Sequence, residues 1–572
     1  MAFQISPGVN VSEIDLTTVV PSVSTTAGAF VGDFQWGPAE KRTLITSEGN
    51  LVAQFGEPSA NVSSTSGVAN TGVSFFSAAN FLAYGNNLQV VRAIGSGSTN
   101  ATSGNTAILL KSEDSYDNGF TANSYHGTFG SRYPGVIGNS LKVAVCTSNT
   151  TNGFATWTYK SNFASAPSTT PVVTTYGATN DQLHIAVIDE DGLFTGTRDT
   201  VLEVFPYVSQ APDAVYDDGT PAYYKTVLRT KSKYVYALNN TAAFSANTDS
   251  LAFGTANVVY TSAFGSASYS LSLGASAAAV AANIQTGLDL FSNKDEVDIS
   301  LIVMGDGMDV TTQNYATNIA KTRMDCVTFV SPSLSDVVSV SAGTAATNVA
   351  TWAGSLTATS YAFADSGWKY QFDKYNNIYR WVPLNGDMAG LCVRTDDSRD
   401  PWFSPAGYSR GAVKNVVKLA WNPNQSQRDA IYSAAVNPVI SVPGQGTVLF
   451  GDKTLTVQPS AFNRINVRRL FIVLEKAISN ASKYSLFELN DEFTRSQFVA
   501  LVEPFLRDVK GRRGIYDFRV VCDTTNNTQS VIDGNRFVGD IFIKPARSIN
   551  FIQLNMVAVR SGVQFSEIVG SV

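Results

Sequence analysis

At 572 residues the chain is longer than one hydrophobic core supports, so three or four domains are expected. Charged residues are only 15%, while Ser, Thr, Asn, Gly and Ala abound, a balance that suits β-rich structural or secreted-type proteins better than a cytosolic enzyme. The net charge of −6 argues against non-specific nucleic-acid binding.

Residues 1–22 read as an extended arm. Phe3 and Ile5, then Val9 and Val11, alternate in the strand manner around the turn Ser6-Pro7-Gly8. No run nearby offers a hairpin partner, so pairing with a sheet of this subunit or another is expected. A basic leader before an apolar run is lacking, so no signal peptide is expected. Nor does any window approach about 18 uninterrupted apolar residues, which predicts no membrane span. A soluble product made in the cytoplasm follows.

Residues 23–95 have the pattern of a compact α/β piece. Ala29–Gly32 is a short buried strand, Ser74–Tyr84 a helix stopped by Gly85, and Leu88–Ile94 a second strand. Gly95-Ser96-Gly97-Ser98 reads as a linker. Beyond it, Asn/Thr/Ser/Gly-rich tracts separate short β-type runs at 141–146, 183–188, 201–208, 234–238 and 258–260. A modest helix at 276–290 and strands at 299–304 and 326–330 complete this stretch. It is read as two inserted subdomains, 96–188 and 189–367, of barrel or sandwich character.

The core resumes near Trp368. Asn424 and Gln427 cap a helix that ends before Asn437-Pro438, and strands follow at 439–442 and 447–450. A long helix then carries Val467, Leu470, Phe471, Leu474, Ile478 and Ala481 on one stripe. The next is expected to open on a Thr494/Gln497 capping box with a Phe493/Phe498 staple, to kink at Pro504, and to stop at Gly511. Tyr516, Phe518, Val520 and Cys522 alternate as a half-buried strand. After Val538–Ile543 and the break at Pro545, Ile552, Leu554, Met556 and Ala558 share one face of a terminal strand. The expected organisation is thus multidomain α+β. An α/β core built from 23–95 plus 368–543 carries the large β-rich insertion, with arms at 1–22 and 544–572.

Chemistry is sparse. The four cysteines, Cys146, Cys326, Cys392 and Cys522, form no CxxC pair, so neither a metal site nor a disulfide framework is expected. His126 and His184 lie in different β-like runs with no nucleophile motif beside them. Gly446–Thr454 approaches a phosphate-binding loop, but Asp452 separates Gly451 from Lys453, and a hairpin turn is the preferred reading. The acidic clusters 189–192 and 306–309 lack the full calcium-loop spacing and read as turns. Charge is uneven: residues 461–520 carry 11 basic and 7 acidic side chains, residues 96–370 carry 13 and 22. The densest basic patch, Lys510-Gly511-Arg512-Arg513, fits an acidic partner or a solvated loop.

Several stretches resemble the tail sheath proteins of contractile-tailed bacteriophages of the T-even type. They are Ser6–Val9 with Glu13-Ile14-Asp15, Arg132–Gly135 with Gly138-Asn139-Ser140, Asp400–Gly407, Pro443–Thr447, Arg464–Leu470, Phe493–Asp523 and Lys544–Ile549. The likeness covers roughly residues 1–95 and 368 to the end, and is patchy between. It implies a non-enzymatic structural subunit without cofactors, stacked in six-membered rings around a tail tube between baseplate and terminator proteins. Such a subunit resides in the virion tail, is assembled in the host cytoplasm, and binds neither nucleic acid nor membrane directly. The resemblance further implies an inner core, outward insertions, and arms that add strands to neighbouring subunits. On that basis Phe3, Ile5, Val9, Val11, Ile552, Leu554 and Met556 are the expected inter-subunit strand residues. Arg464, Arg468, Arg469, Lys510, Arg512 and Arg513 are the candidate tube-facing cations, with pairing inside the core as the alternative. A host-receptor adhesin is the competing function, suggested by the Ser/Thr-rich insertion.

Overall fold

The computed structural model describes residues 26–60, 71–120, 127–147, 153–175, 177, 179–238, 266–456, 458–550 and 553. The described chain divides into a larger unit, 26–401 with 405–481, and a smaller one, 402–404 with 482 onward. The arm residues Phe3, Ile5, Val9, Val11, Ile552, Leu554 and Met556, together with His126 and the run 258–260, lie outside the described residues.

The larger unit is organised by one sheet. β1 (Gly28–Gly32) is buried at all five positions; β2 (Arg42–Ile45) and β3 (Leu88–Arg92) follow, with the helix Thr71–Leu82 between them. Short, continuously apolar runs of this kind suit a sheet covered on both faces. After β3 the chain runs into the insertion. There β4 (Phe129–Ser131) pairs with β8 (Val235–Ala237). β5 (Leu141–Thr147), β6 (Gln182–Asp189), β7 (Thr200–Ser209) and β9 (Ser266–Ser270) form an antiparallel sheet in the order β7-β6-β5-β9.

The chain then returns to the first sheet. β10 (Leu301–Val303), β11 (Val327–Val330) and β12 (Ala362–Asp365) join it on the far side of β1. β13 (Trp368–Asp373), β14 (Ile378–Pro383) and β15 (Lys418–Leu419) make a separate three-stranded sheet. β16 (Val436–Asn437) completes the main sheet, in the order β16-β12-β11-β10-β1-β3-β2, and a hairpin of β17 (Val439–Val442) and β18 (Gly446–Leu449) follows. Every pairing in the main sheet is parallel except that of the edge strand β2.

Alternation divides its apolar side chains between two cores. Ala29, Val31, Val91 and Ile302 pack with Ala316, Val349 and Trp352 from the helices Val310–Arg323 and Ala342–Ser355. Phe30, Val90, Val303 and Phe329 pack with Phe81, Met388 and Ile465 from the helices Thr71–Leu82, Asn385–Ser398 and Ile465–Ser482.

Two expectations about the insertion are corrected. Residues 189–367 are not a second inserted subdomain, because β10, β11 and β12 are interior strands of the main sheet. Nor does the chain divide at Asp189: that residue ends β6, which pairs with β7 through the turn. Its buried carboxylate accepts from Ser140 Oγ (2.5 Å), Phe194 N (2.9 Å) and Thr195 N (2.8 Å), so Asp189 fastens the hairpin. Gly95–Ser98 is not a loose linker either. Gly95 N donates to Ala277 O (3.1 Å), while Thr99 N and Ala275 N donate to each other's carbonyls (3.0 and 3.1 Å), so outgoing and returning chains form a paired neck. A Cβ on Gly95 would sit 2.4 Å from Ala278 O, which is why glycine stands there.

At the C-terminal end of β12, Asp365 is 1% exposed and accepts from Ser331 Oγ (2.7 Å) and Gly367 N (2.9 Å). Burial outweighs those hydrogen bonds and pushes its pKa from 3.8 up to about 8. The native state therefore binds a proton that the unfolded chain releases near pH 4. This group makes stability fall as pH rises from about 4 to about 8. Asp365→Asn should remove that slope. Its melting temperature should gain on the wild type across this window, read by thermal melts at stepped pH.

Candidate inter-subunit surface

The smaller unit is built on the helix Glu492–Gly511, β19 (Ile515–Val521) and β20 (Asp540–Pro545). Its helix is capped three residues before the expected position. Asp491 is the N-cap, accepting from Thr494 N (2.8 Å), so Thr494 sits inside the first turn and Phe493 is 69% exposed rather than stapled. Pro504 lies within the assigned helix. The left-handed residue at its end is Arg513 (φ 67°), not Gly511, and Gly514 N closes onto Val509 O at 2.9 Å. Gly514 is needed for close approach. A Cβ there would meet Val509 at 2.7 Å and Trp402 at 3.0 Å. The Trp402 indole donates to Arg512 O (3.1 Å) and lies 5.0 Å from that residue's guanidinium, which clasps the 402–404 segment to the helix end.

β19 and β20 pair antiparallel from Ile515↔Pro545 to Val521↔Asp540, with an irregularity at Ile515/Asp517. Phe518, Val520, Ile541 and Ile543 share the half-buried face. The other face presents Asp517, Arg519, Phe542 and Lys544, all exposed. Among the described residues no third strand joins this sheet, so one edge of each strand keeps its ladder groups open.

Apolar exposure is concentrated in the same unit. The seven large apolar side chains more than 60% exposed among the described residues are Tyr484, Leu486, Phe487, Leu489, Phe493, Tyr516 and Ile549. A concentration of exposed apolar side chains of this kind is a common mark of an interaction surface.

The six candidate cations fall in two settings. Arg468 and Arg469 are 6% and 4% exposed, so a surface role for them is overturned. Arg469 pairs with Asp396, and the Arg468 guanidinium lies 4.2 Å from the Tyr361 ring and 4.0 Å from the Phe462 ring. Burial holds the Arg468 pKa down. Arg464 is half-buried, bonded to Asp452 (2.9 Å) and Tyr432 Oη (2.5 Å). Asp452 is thereby an internal counter-ion, not part of a phosphate loop. Lys510, Arg512 and Arg513 are exposed, the first two ion-paired with Asp517 (2.9 Å) and Asp508 (3.0 Å). The sequence stripe located the helix at 465–482, but apolar periodicity is silent about which arginines turn inward.

His184, Lys369, Asp387 and Tyr84 are engaged inside the fold. His184 is fully buried, its Nε2 at Ser165 O (2.8 Å), its Nδ1 accepting from Tyr207 N (3.1 Å), its ring stacked 4.4 Å from Phe163. Burial lowers its pKa. Lys369 and Asp387 form an enclosed pair at 2.9 Å, and Tyr84 Oη donates to the same carboxylate at 3.1 Å. Among the described residues no group of three or more His, Cys, Asp or Glu is placed to hold a metal ion, and no helix is long and apolar enough to cross a membrane.

Two substitutions separate the settings. Arg469→Ala leaves the Asp396 carboxylate without its guanidinium and should cost about 3–5 kcal/mol of stability. Lys510→Ala removes one exposed pair and should change stability by about 1 kcal/mol or less. Urea unfolding of both variants measures the contrast.

The chain is similar to known proteins along its length. Residues 277–455 match the phage tail sheath protein central domain, and residues 457–558 match the phage tail sheath C-terminal domain. The chain is 34% identical to the tail sheath proteins of Vibrio phage KVP40 and Enterobacteria phage T4, with 99% of this chain covered and 100% and 99% of theirs. It is 31% identical to that of Salmonella phage ViI, over 99% of this chain and 98% of the other. Among solved structures, a sheath tail protein from Listeria innocua shares the fold at a TM-score of 0.53, with 10% identity, covering 91% of this chain and 95% of the other.

Proposed function

The chain belongs to the phage tail sheath family, and from that premise we propose that it works as the repeating subunit of a contractile tail. Copies stack as six-membered rings around a tail tube, between baseplate and terminator proteins, and shorten to drive the tube through the host envelope. Assembly takes place in the host cytoplasm. The work is mechanical and calls on no catalytic residue, nucleotide, nucleic acid or membrane insertion.

The observation that carries this reading is the open two-stranded sheet β19–β20 in a chain whose ends are patterned as strands. Phe3, Ile5, Val9 and Val11 at one end, and Ile552, Leu554 and Met556 at the other, are the residues we assign to strand addition on neighbouring copies. Such head-to-tail contacts generate rings and helices. Arms that stay paired hold subunits together while rigid bodies rotate. The extended state then stores free energy in its lateral contacts. The segments that build the main sheet, β10–β12 included, are assigned with 368–543 to the inner layer, and the insertion between β3 and β10 to the outer. Lys510, Arg512 and Arg513 remain the candidate tube contacts, because weak, screened charge pairs suit a surface that must release its partner.

An adhesin is not favoured, since the relatives covering the full chain are named tail sheath proteins. The test is removal of residues 1–22 from the full chain. The truncated protein should keep its circular dichroism spectrum and melting temperature yet form no tubes at concentrations where the wild type does. Tubes of normal length from the truncated protein would end the strand-addition reading.

A further inference from the structure

The two ends of the chain carry one short pattern twice. Gly8-Val9-Asn10-Val11-Ser12-Glu13-Ile14 and Gly562-Val563-Gln564-Phe565-Ser566-Glu567-Ile568 are identical at Gly, Val, Ser, Glu and Ile, and differ only by Asn/Gln and Val/Phe. In an extended conformation each copy would put Val, an apolar residue and Glu on one face, with the amide, Ser and Ile on the other. The outer face of β19–β20 offers the matching chemistry. Phe542 is 60% exposed, and Arg519 and Lys544 are exposed one on each strand. The acids of that face are already engaged: Asp517 accepts from Lys510 Nζ (2.9 Å) and Asp540 from Asn526 Nδ2 (3.1 Å). Among the described residues the sheet thus presents two open edges, each with one cation, to a chain with two copies of one acidic motif.

We propose that residues 8–14 and 562–568 are two copies of a single docking motif, and that Glu13 and Glu567 each pair with a cation, Arg519 or Lys544, on the β19–β20 sheet of another copy of the chain. This rests on the strand-addition reading above and names the side chains that give it register. A strand laid on either edge brings its facing side chains within cross-strand distance of the neighbouring row, so the Val–apolar–Glu face continues the Phe542 row. The glutamate then meets a guanidinium or ammonium as a charge-assisted hydrogen bond. A shift of one residue would turn the glutamate to the opposite face, so the charge pair specifies register as well as affinity.

The test uses charge reversal in the full chain, with the critical concentration for polymer formation read by sedimentation. Glu13→Lys and Glu567→Lys should each raise it about tenfold or more, the effect of losing a charged hydrogen bond. Arg519→Glu and Lys544→Glu should do the same. Combining a reversed arm with the reversed cation of its own edge should restore assembly, which a merely misfolded variant would not do. Wild-type assembly of either arm variant, or failure of both reversed cations to rescue either arm, would overturn the shared motif. If those variants assemble normally while removal of residues 1–22 abolishes tubes, strand addition stands and only the motif falls. If the truncated chain also forms tubes, both fall.

Discussion

A two-stranded sheet cannot satisfy its own edges. Among the described residues each strand of β19–β20 pairs along one side only, and no strand lies along the other. The unit around it has one long helix and few buried apolar positions, Phe498, Val502, Leu506 and Val509 among them. Its exposed Leu486, Phe487 and Tyr516 are the kind of surface that a stable monomer avoids. Among its described residues the unit therefore leaves strand edges and apolar side chains uncovered, the features that the proposed strand addition would use.

The larger unit has the opposite character. Its largely parallel sheet packs apolar side chains on both faces, and three of its ion pairs are enclosed: Lys369 with Asp387, Arg380 with Asp373, Arg469 with Asp396. Breaking such pairs is costly, so they favour a body that moves as a whole rather than deforming.

Much of this was legible in the sequence. The strand expected at 29–32, the helix at 74–84, the Asn424/Gln427 capping box and the stripe from Val467 to Ala481 all carry strong local signals, and the structure has a strand at 28–32, a helix at 71–82, that capping box and a helix at 465–482. What misled was composition. The helices Val310–Arg323 and Ala342–Ser355 are rich in Ala and Thr with few large apolar residues, so the segment that builds β10–β12 resembles the insertion before it. Non-local parallel pairing leaves no mark at short range. The Asp491 cap was missed because Asp491 has Thr at the third helical position, whereas Thr494 has Gln there and mimics a capping box. The inward arginines were invisible for a similar reason. Arg468 and Arg469 read as surface charge until Asp396, more than seventy positions earlier in the chain, is brought beside Arg469 by the fold.

We propose that this protein works by self-association through the smaller unit and the chain's ends. Electron microscopy of the purified full chain across a concentration series tests it most directly. Hollow striated tubes or stacked rings, appearing above a threshold concentration, are the predicted result. Dispersed monomers at every concentration, even with tube and baseplate proteins added, would contradict it.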